Sequence, residues 1–600
     1  MATIYNPGDE VLNSSAETES MLLKATIRPA AGHTLELGYR RYDGKIGEIM
    51  PSDIFRFGTA GIKQYPLGRT EIDTYTARYQ FQPADQPLVA VTANLWMTDA
   101  KTSQLNSVEV PVSQAYKDDR GWTRMADRRI GGDLGNTSRW RTGYGGFKLD
   151  LGGAFQVEDI RPQRGVVTTA NDINMHRTLR DASRKEFSLN GKLEYQPVER
   201  LTFWGGGRYS HFSSVDNNVL ATAHRERLRL RQMVLNRPGG PRGIMYWFPD
   251  ADGQFTDATD PRLRNGFVFW DSNNPFEGMS YDSYGPTTSN VYPTQVIPVV
   301  TGFDYAPKLR SSGGGFAPSA GLNLELAPET FVYASYTQGL RMPSLFETSI
   351  GTLQTRGGKD LKPERSVNWE VGASTSRGNV LVDGDSAALK VAYFNNKIKN
   401  YITRYYDPTP QKRGIMAFSN TDSYQTRGLE LQSHYDAGRV FADLSATYYL
   451  MTETCDAAFA QVLRKNYRPR YRETKNTPNC TPGSFMGSYT NTQNPPKLAL
   501  NLTAGLRFFN ETLTLGGRMT YTSGPTAKAD KPWQTGVTVP QVVYHQVTLF
   551  DLFLNYQLRE HTVVNVSAQN LTNRYYLDPL AQSFMPAPGR TVRIGMQTRF

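Results

Sequence analysis

No stretch of about 18 consecutive apolar residues occurs anywhere in the 600 residues, which excludes a protein that crosses a membrane by helices. Cysteine is nearly missing: Cys455 and Cys480 are the whole supply, too few for a disulfide scaffold and without a CxxC metal pattern. There is no dense Lys/Arg block, so the charge of +11 does not argue for nucleic acid. Glycine triplets and heptads are also missing, which removes collagen and coiled coil, and no 40–50-residue repeat is visible to support a β-propeller, the soluble alternative. No G-x-S-x-G, HExxH or P-loop appears, so no enzyme chemistry is expected. The first ten residues have neither a basic start nor an apolar core and are not a signal peptide. The expectation is that a natural beginning lies upstream.

What is present is period-two alternation on an aromatic-rich chain. Val592, Ile594, Met596, Thr598 and Phe600 fall on one side of a C-terminal strand, and Arg593, Gly595, Gln597 and Arg599 on the other. Leu498, Leu500, Leu502, Ala504, Leu506 and Phe508 alternate with Ala499, Asn501, Thr503, Gly505 and Arg507 in the same way. Such runs are about 9–12 residues long, enough for a tilted strand to cross a bilayer.

The connections alternate too. Short ones fall at 29–32, 82–87, 144–145, 197–199, 328–329, 437–438, 509–511 and 560. Long ones lie between them, near 43–71, 99–130, 159–183, 213–307, 342–362, 402–421, 452–493, 523–541 and 574–588. All-β, antiparallel and transmembrane is the reading: an outer-membrane barrel with tight periplasmic turns and large external loops. About 19 strands are expected over residues 20–600, with residues 1–19 as the end of an external loop. The first strand, from Ser20, and the last both run inward. Three strands ahead of the first would make roughly 22, the size of plugged transporters.

Several segments resemble the TonB-dependent outer-membrane receptor family. Tyr333-Ala-Ser-Tyr-Thr-Gln-Gly-Leu-Arg-Met-Pro-Ser344 is similar to its strand-to-loop motif, read as FRAP in haem receptors. Lys359-Asp-Leu-Lys-Pro-Glu-Arg365 is similar to its NPNLKPE box, and Asn570-Leu-Thr-Asn-Arg-Tyr-Tyr576 to its next-to-last strand exit. Phe600 matches its terminal aromatic. Pro343-Ser-Leu-Phe-Glu-Thr348, with the segments at Ser20–Lys24 and His33–Tyr42, resembles the haem and haemophore branch. The resemblance implies a receptor whose cargo is haem or a haem-carrier protein. It also implies energy from the TonB–ExbB–ExbD complex, delivered through an N-terminal plug that is expected to lie upstream of these residues. A ferric-siderophore receptor and a non-transporting barrel are the alternatives. In the haem branch the loop between the two motifs carries a haem-ligating histidine, and Ser349–Asp360 has none.

Candidate ligand residues follow from chemistry and loop position. His176, His211 and His224 fall in or beside long external loops, and imidazole is a good ligand for haem iron. A solvated loop histidine is the ordinary alternative. Arg341 of the FRAP-like motif, and Tyr246 and Trp247 of the longest loop, are further contacts for an anionic or flat ligand. Asp250, Asp252, Asp257 and Asp260 surround Gly253 as a weak Ca²⁺ candidate without EF-hand spacing. Arg225, Arg227, Arg229 and Arg231 alternate along an expected strand above the membrane, where a basic face would meet anionic ligands or lipopolysaccharide phosphates. Cys455 and Cys480 share one external loop outside the cytoplasm and are expected to bridge.

Overall fold

The computed structural model describes residues 15–47, 67–105, 122–163, 180–218, 221–236, 243–247, 267–268, 288–305, 307–349, 355–356, 361–406, 416–465, 475–485, 488, 494–526, 544–578 and 587–599. Eight strands open the wall: β1 (Ala16–Ile27), β2 (His33–Ile46), β3 (Gly68–Phe81), β4 (Val91–Leu105), β5 (Trp122–Thr142), β6 (Gly145–Pro162), β7 (Ala182–Val198) and β8 (Leu201–Asp216). A separate sheet follows, of β9 (Ala221–Asn236), β10 (Gly243–Trp247), β11 (Phe267–Val268) and β12 (Thr288–Tyr305), with β9 between β10 and β12. The wall resumes with β13 (Arg310–Ala327) and β14 (Thr330–Arg341). Helix α1 (Leu345–Thr348) and β15 (Thr355–Arg356) precede β16 (Glu364–Gly378) and β17 (Ser386–Lys399).

Beyond β17, β18 (Ile402–Tyr406) and β19 (Met416–Asn420) join β15 in a three-stranded sheet. The wall continues with β20 (Ser423–Asp436) and β21 (Val440–Cys455). Helix α2 (Ala457–Lys465) and β22 (Cys480–Pro482) lie in the next connection. The wall closes its run with β23 (Leu498–Phe508), β24 (Leu513–Thr522), β25 (Val547–Arg559), β26 (Thr562–Gln569) and β27 (Thr591–Thr598).

Nineteen of these strands pair antiparallel, each with the next along the wall. The three-residue β22 completes the twenty-stranded sheet. The alternation of short and long connections holds throughout, with one short turn, 379–385, that the sequence did not mark. Among the described residues no pairing joins β1 to β27. Both run inward from the external side, so these two edges are not antiparallel partners. At the turn between β1 and β2 glycine is required. At Gly32 φ is +77°, and a Cβ there would sit 2.8 Å from the Gln82 carbonyl oxygen.

The two faces differ as alternation requires. On β6, Phe147, Leu149, Leu151, Phe155 and Val157 look outward, and Leu151 and Phe155 are 54% and 48% exposed in the isolated chain. Inward positions are polar and paired. The Lys148 amine lies 3.2 Å from Asp150 and 3.4 Å from Glu194. Arg507 donates to Asp436 through both terminal nitrogens, at 2.8 and 2.7 Å. A side-chain stack of Trp140, Phe147 and Tyr195 closes the belt near the periplasmic turns.

At the other border the apolar row is Tyr39, Tyr75, Met97, Ile130 and Val157, strictly in register from β2 to β6. The row two residues further out is Arg41, Asp73, Asp99, Arg128 and Asp159. Ten residues of β6 separate Phe147 from Val157, about 33 Å along the strand and roughly 25 Å along the normal at a ~40° tilt. That is the height of an outer-membrane apolar band, so the strand portions beyond Asp159 rise above the lipid.

Two boundaries differ from the sequence reading. Residues 16–19, expected in an external loop, are already strand, because β1 begins at Ala16. Strands expected to be 9–12 residues long reach 21 in β5. The cause is the same: above the lipid both strand faces are polar, so alternation no longer marks the strand.

Candidate functional site

The external mouth is organised where β14 hands over to α1 and β16. Arg341 ends β14 directly opposite Glu364, the first residue of β16. Its Nε and Nη2 donate to the two Glu364 oxygens at 2.6 and 2.7 Å. Its Nη1 and Nη2 donate to the two Glu347 oxygens, both at 2.9 Å. Both carboxylates are almost fully buried, whereas the guanidinium is half-exposed. Glu347 also accepts the Ser344 N–H at 2.8 Å, which fixes the start of α1. Glu364 accepts the Ile402 N–H at 2.7 Å, which ties in β18. Arg341 therefore holds two loops together, and its hydrogen-bonding capacity is committed to carboxylates of its own chain.

The neighbouring box is held in the same manner. Asn420 accepts the Lys362 N–H at 2.8 Å and donates to the Lys362 and Asn400 carbonyls at 3.0 and 2.7 Å. Leu361, Ile402 and Phe418 form a buried cluster beneath. Met342, Pro343 and Leu345 are buried too, and α1 packs against β7 and β8, where Phe212 is 0% exposed. Phe346 is the side chain of α1 that emerges, 42% exposed. It meets the Phe418 ring edge-on at 5.5 Å. The Arg180 guanidinium lies 4.3 Å from its centroid and the Arg404 guanidinium 6.0 Å. Burial pushes the Arg180 pKa down to about 10, partly opposed by the charge of Asp216.

His211 does not reach this mouth. On β8, Ser210, Phe212, Ser214 and Asp216 are buried on the inward face. His211 alternates with them, opposite Phe187 and beside the outward Tyr209. Its ring lies 5.6 Å from that of Phe187. It belongs to the outer girdle, and the ligand role expected of it does not fit this placement. His224 is paired with Gly302 in the β9–β12 ladder. Tyr246 and Trp247 lie on β10, opposite Gln232 and Arg231 of β9, so an aromatic strand runs beside the arginine-bearing one. His176, Asp250, Asp252, Asp257, Asp260 and Phe600 lie outside the described residues.

Cys455 and Cys480 face one another as the first pair of the β21–β22 ladder and are joined as a disulfide, so their sulfurs are not metal ligands. Between them α2 builds its own small core of Phe459, Ala460, Leu463 and Phe485. Asp456 caps it, accepting the Phe459 N–H at 2.8 Å.

Sequence reasoning missed Glu347, Glu364, Arg180, Phe346 and Arg404. The first carried a signal: Ser344 followed three residues on by Glu347 is a helix-start pattern.

Residues 22–571 match the family described as TonB dependent receptor-like, beta-barrel. The hemophilin receptor of Acinetobacter baumannii is 29% identical across 100% of this chain, which spans 61% of that relative's length. The Serratia marcescens hemophore receptor HasR, solved with its hemophore HasA and haem, has a similar fold: TM-score 0.62 and 21% identity, over 97% of this chain and 71% of that one. The ferric-catecholate import receptor Fiu of Escherichia coli also shares it, at TM-score 0.58 and 14% identity over 98% of this chain and 75% of that one. With the family matched from within β1 to just beyond β26, and the wall strands alternating apolar and polar as lipid requires, the chain belongs to the TonB-dependent receptor family and forms its outer-membrane β-barrel.

Proposed function

We propose that this barrel serves a receptor that takes up haem, presented by a haem-carrier protein, at the cell surface. The observation that carries the reading is the alignment with the hemophilin receptor along the whole of this chain. The height of the wall supports it. A protein partner needs a contact of about 1,200–2,000 Å² in total, and the β9–β12 sheet with the tops of β5 to β8 is the surface we assign to it. Inward passage draws on the TonB–ExbB–ExbD complex through a plug domain. Haem is cargo and no catalytic role is proposed. His176 and His224 remain candidate iron ligands, and Tyr246 and Trp247 candidate contacts for the carrier. The charged row from Arg41 to Asp159 meets the lipid and lipopolysaccharide headgroups.

The test is growth of a receptor-deleted strain carrying the full-length gene, with haem-loaded carrier as sole iron source. Growth that depends on TonB is expected. Growth on ferric siderophores alone, with no uptake of carried haem, overturns the reading. That second outcome is the ferric-siderophore alternative, which the absence of histidine from Ser349–Asp360 favours.

A further inference from the structure

Two cations from distant loops converge on one half-exposed ring at the mouth. Arg180 comes from the end of the β6–β7 connection and Arg404 from β18, and both lie on Phe346 of α1. Arg404 also lies 5.7 Å from the Phe418 ring. These are three separate external loops, joined by one aromatic side chain.

Arg180 keeps one donor without an acceptor at this point: among the described residues, its buried Nε meets none. Asp216 supplies the favourable charge on Arg180, but one of its carboxylate oxygens already accepts the Asn218 N–H at 3.0 Å. A buried guanidinium without a full set of acceptors is costly unless something else brings the counter-charge. Perturbed groups of this kind concentrate at functional sites. Phe346 adds a second requirement. A bare anion needs only the cations, yet an exposed apolar ring stands beside them. A ligand that carries carboxylates on the rim of a flat apolar body satisfies both.

We propose that Arg180, Phe346 and Arg404 form a subsite that grips the carboxylate edge of a planar porphyrin-type ligand. The proposal rests on the haem-receptor reading and deepens it: it assigns orientation to this trio, whatever supplies the axial bond to iron. Guanidinium–carboxylate hydrogen bonds are short and directional, so the ligand would be held edge-first.

The test titrates the detergent-purified full-length receptor with haem and with haem dimethyl ester, whose carboxylates are capped, following the Soret band. Haem should bind the native protein, and R180A and R404A should each weaken it about tenfold, as expected for loss of a charge-assisted contact. R180K should fall between. The ester should bind the native protein about as weakly as haem binds the double variant, and neither arginine substitution should change it. F346L, which keeps the packing on Phe418, should lose affinity for both ligands. Binding of the haem-free carrier to each variant checks that the mouth is folded. Haem affinity unchanged in R180A and R404A, or ester binding as tight as haem, overturns the clamp and leaves the receptor reading standing. A native protein that binds neither haem nor its carrier overturns both.

Discussion

The two flanks of the wall are built to different heights. On one, β5, β6, β7 and β8 run 21, 18, 17 and 16 residues. On the other, β23 to β27 run 11, 10, 13, 8 and 8. Both cross the same lipid, which takes about 9–11 tilted residues. The short flank is therefore almost wholly membrane, and the surplus of the tall flank stands outside it. The β9–β12 sheet is carried on the connection from β8, at the tall flank, and α1 leans on β7 and β8. The receiving apparatus is thus raised on one side, and the other side serves chiefly as wall.

The largest effect is expected where the tall flank is tied to the mouth. R341A leaves Glu347 and Glu364 buried and unpaired, at a cost of roughly 3–5 kcal/mol. The cost should appear as release of α1 and of β18, with the lipid-embedded wall intact. Limited proteolysis near residue 345, against heat-modifiable gel mobility of the barrel, separates the two; loss of both together would contradict the local role.

One matched pair of substitutions distinguishes the two flanks. L502R puts a cation on the lipid face of the short flank and should cost roughly 2–4 kcal/mol in denaturant unfolding of the lipid-reconstituted protein. A126R makes the same kind of change on the outward face of β5 above the charged row, and should cost less than about 0.5 kcal/mol. Equal costs would mean that the upper part of β5 is not outside the membrane.

Next in size is the stapled lobe on β21. The bridge closes a span with a sequence separation of 25 residues. Replacing Cys455 and Cys480 by serine should remove roughly 2–3 kcal/mol of local ordering, because α2 keeps its small core. Hydrogen exchange should rise across 456–479 and stay unchanged in β23 to β27. Unchanged exchange in the lobe would show that the helix core alone orders it.

The smallest effect belongs to the periplasmic side. Asp385, in the turn between β16 and β17, is buried, which would raise its pKa. The Val382, Val380 and Leu381 N–H groups and the Tyr435 hydroxyl donate to it and hold it at about 2 instead. A carboxyl held below its ordinary 3.8 stabilises the fold above that value, and the contribution fades as pH falls through about 2. D385N should loosen only this turn at neutral pH and leave the difference between the variant and native protein near zero at pH 2. Proteolytic sensitivity of the turn at the two pH values measures it.

Much of the wall was legible because its physics is periodic. Alternation and turn chemistry give strand number and direction, and a lone pair of cysteines in one loop leaves a single pairing to consider. Strand tops were not legible: Ala16-Glu-Thr-Glu-Ser20 in β1 and Arg124–Arg129 in β5 carry charged or polar residues on both faces, so neither face reads as apolar. The outward placement of His211 was not legible because the top of β8 inverts the usual order. There the apolar Phe212 turns inward to meet the mouth, and the polar His211 turns out. Arg180 had no local signature at all, since its environment is made by α1, about 165 residues further along.

The in-register border from Tyr39 to Val157 has a consequence for the bilayer itself. Register rows run perpendicular to the strands, and the strands lean by ~40°, so each step to the next strand, about 4.8 Å away, changes the level by roughly 3 Å. Over the four steps from β2 to β6 the border climbs roughly 12 Å. A flat leaflet cannot meet a sloping shoreline of that size on an upright cylinder. The outer leaflet ramps along this flank, or the barrel axis cants until the shoreline is level. In the first case lipids beside β2 and β6 pack at different thickness, and in the second the raised platform overhangs the cell surface at an angle.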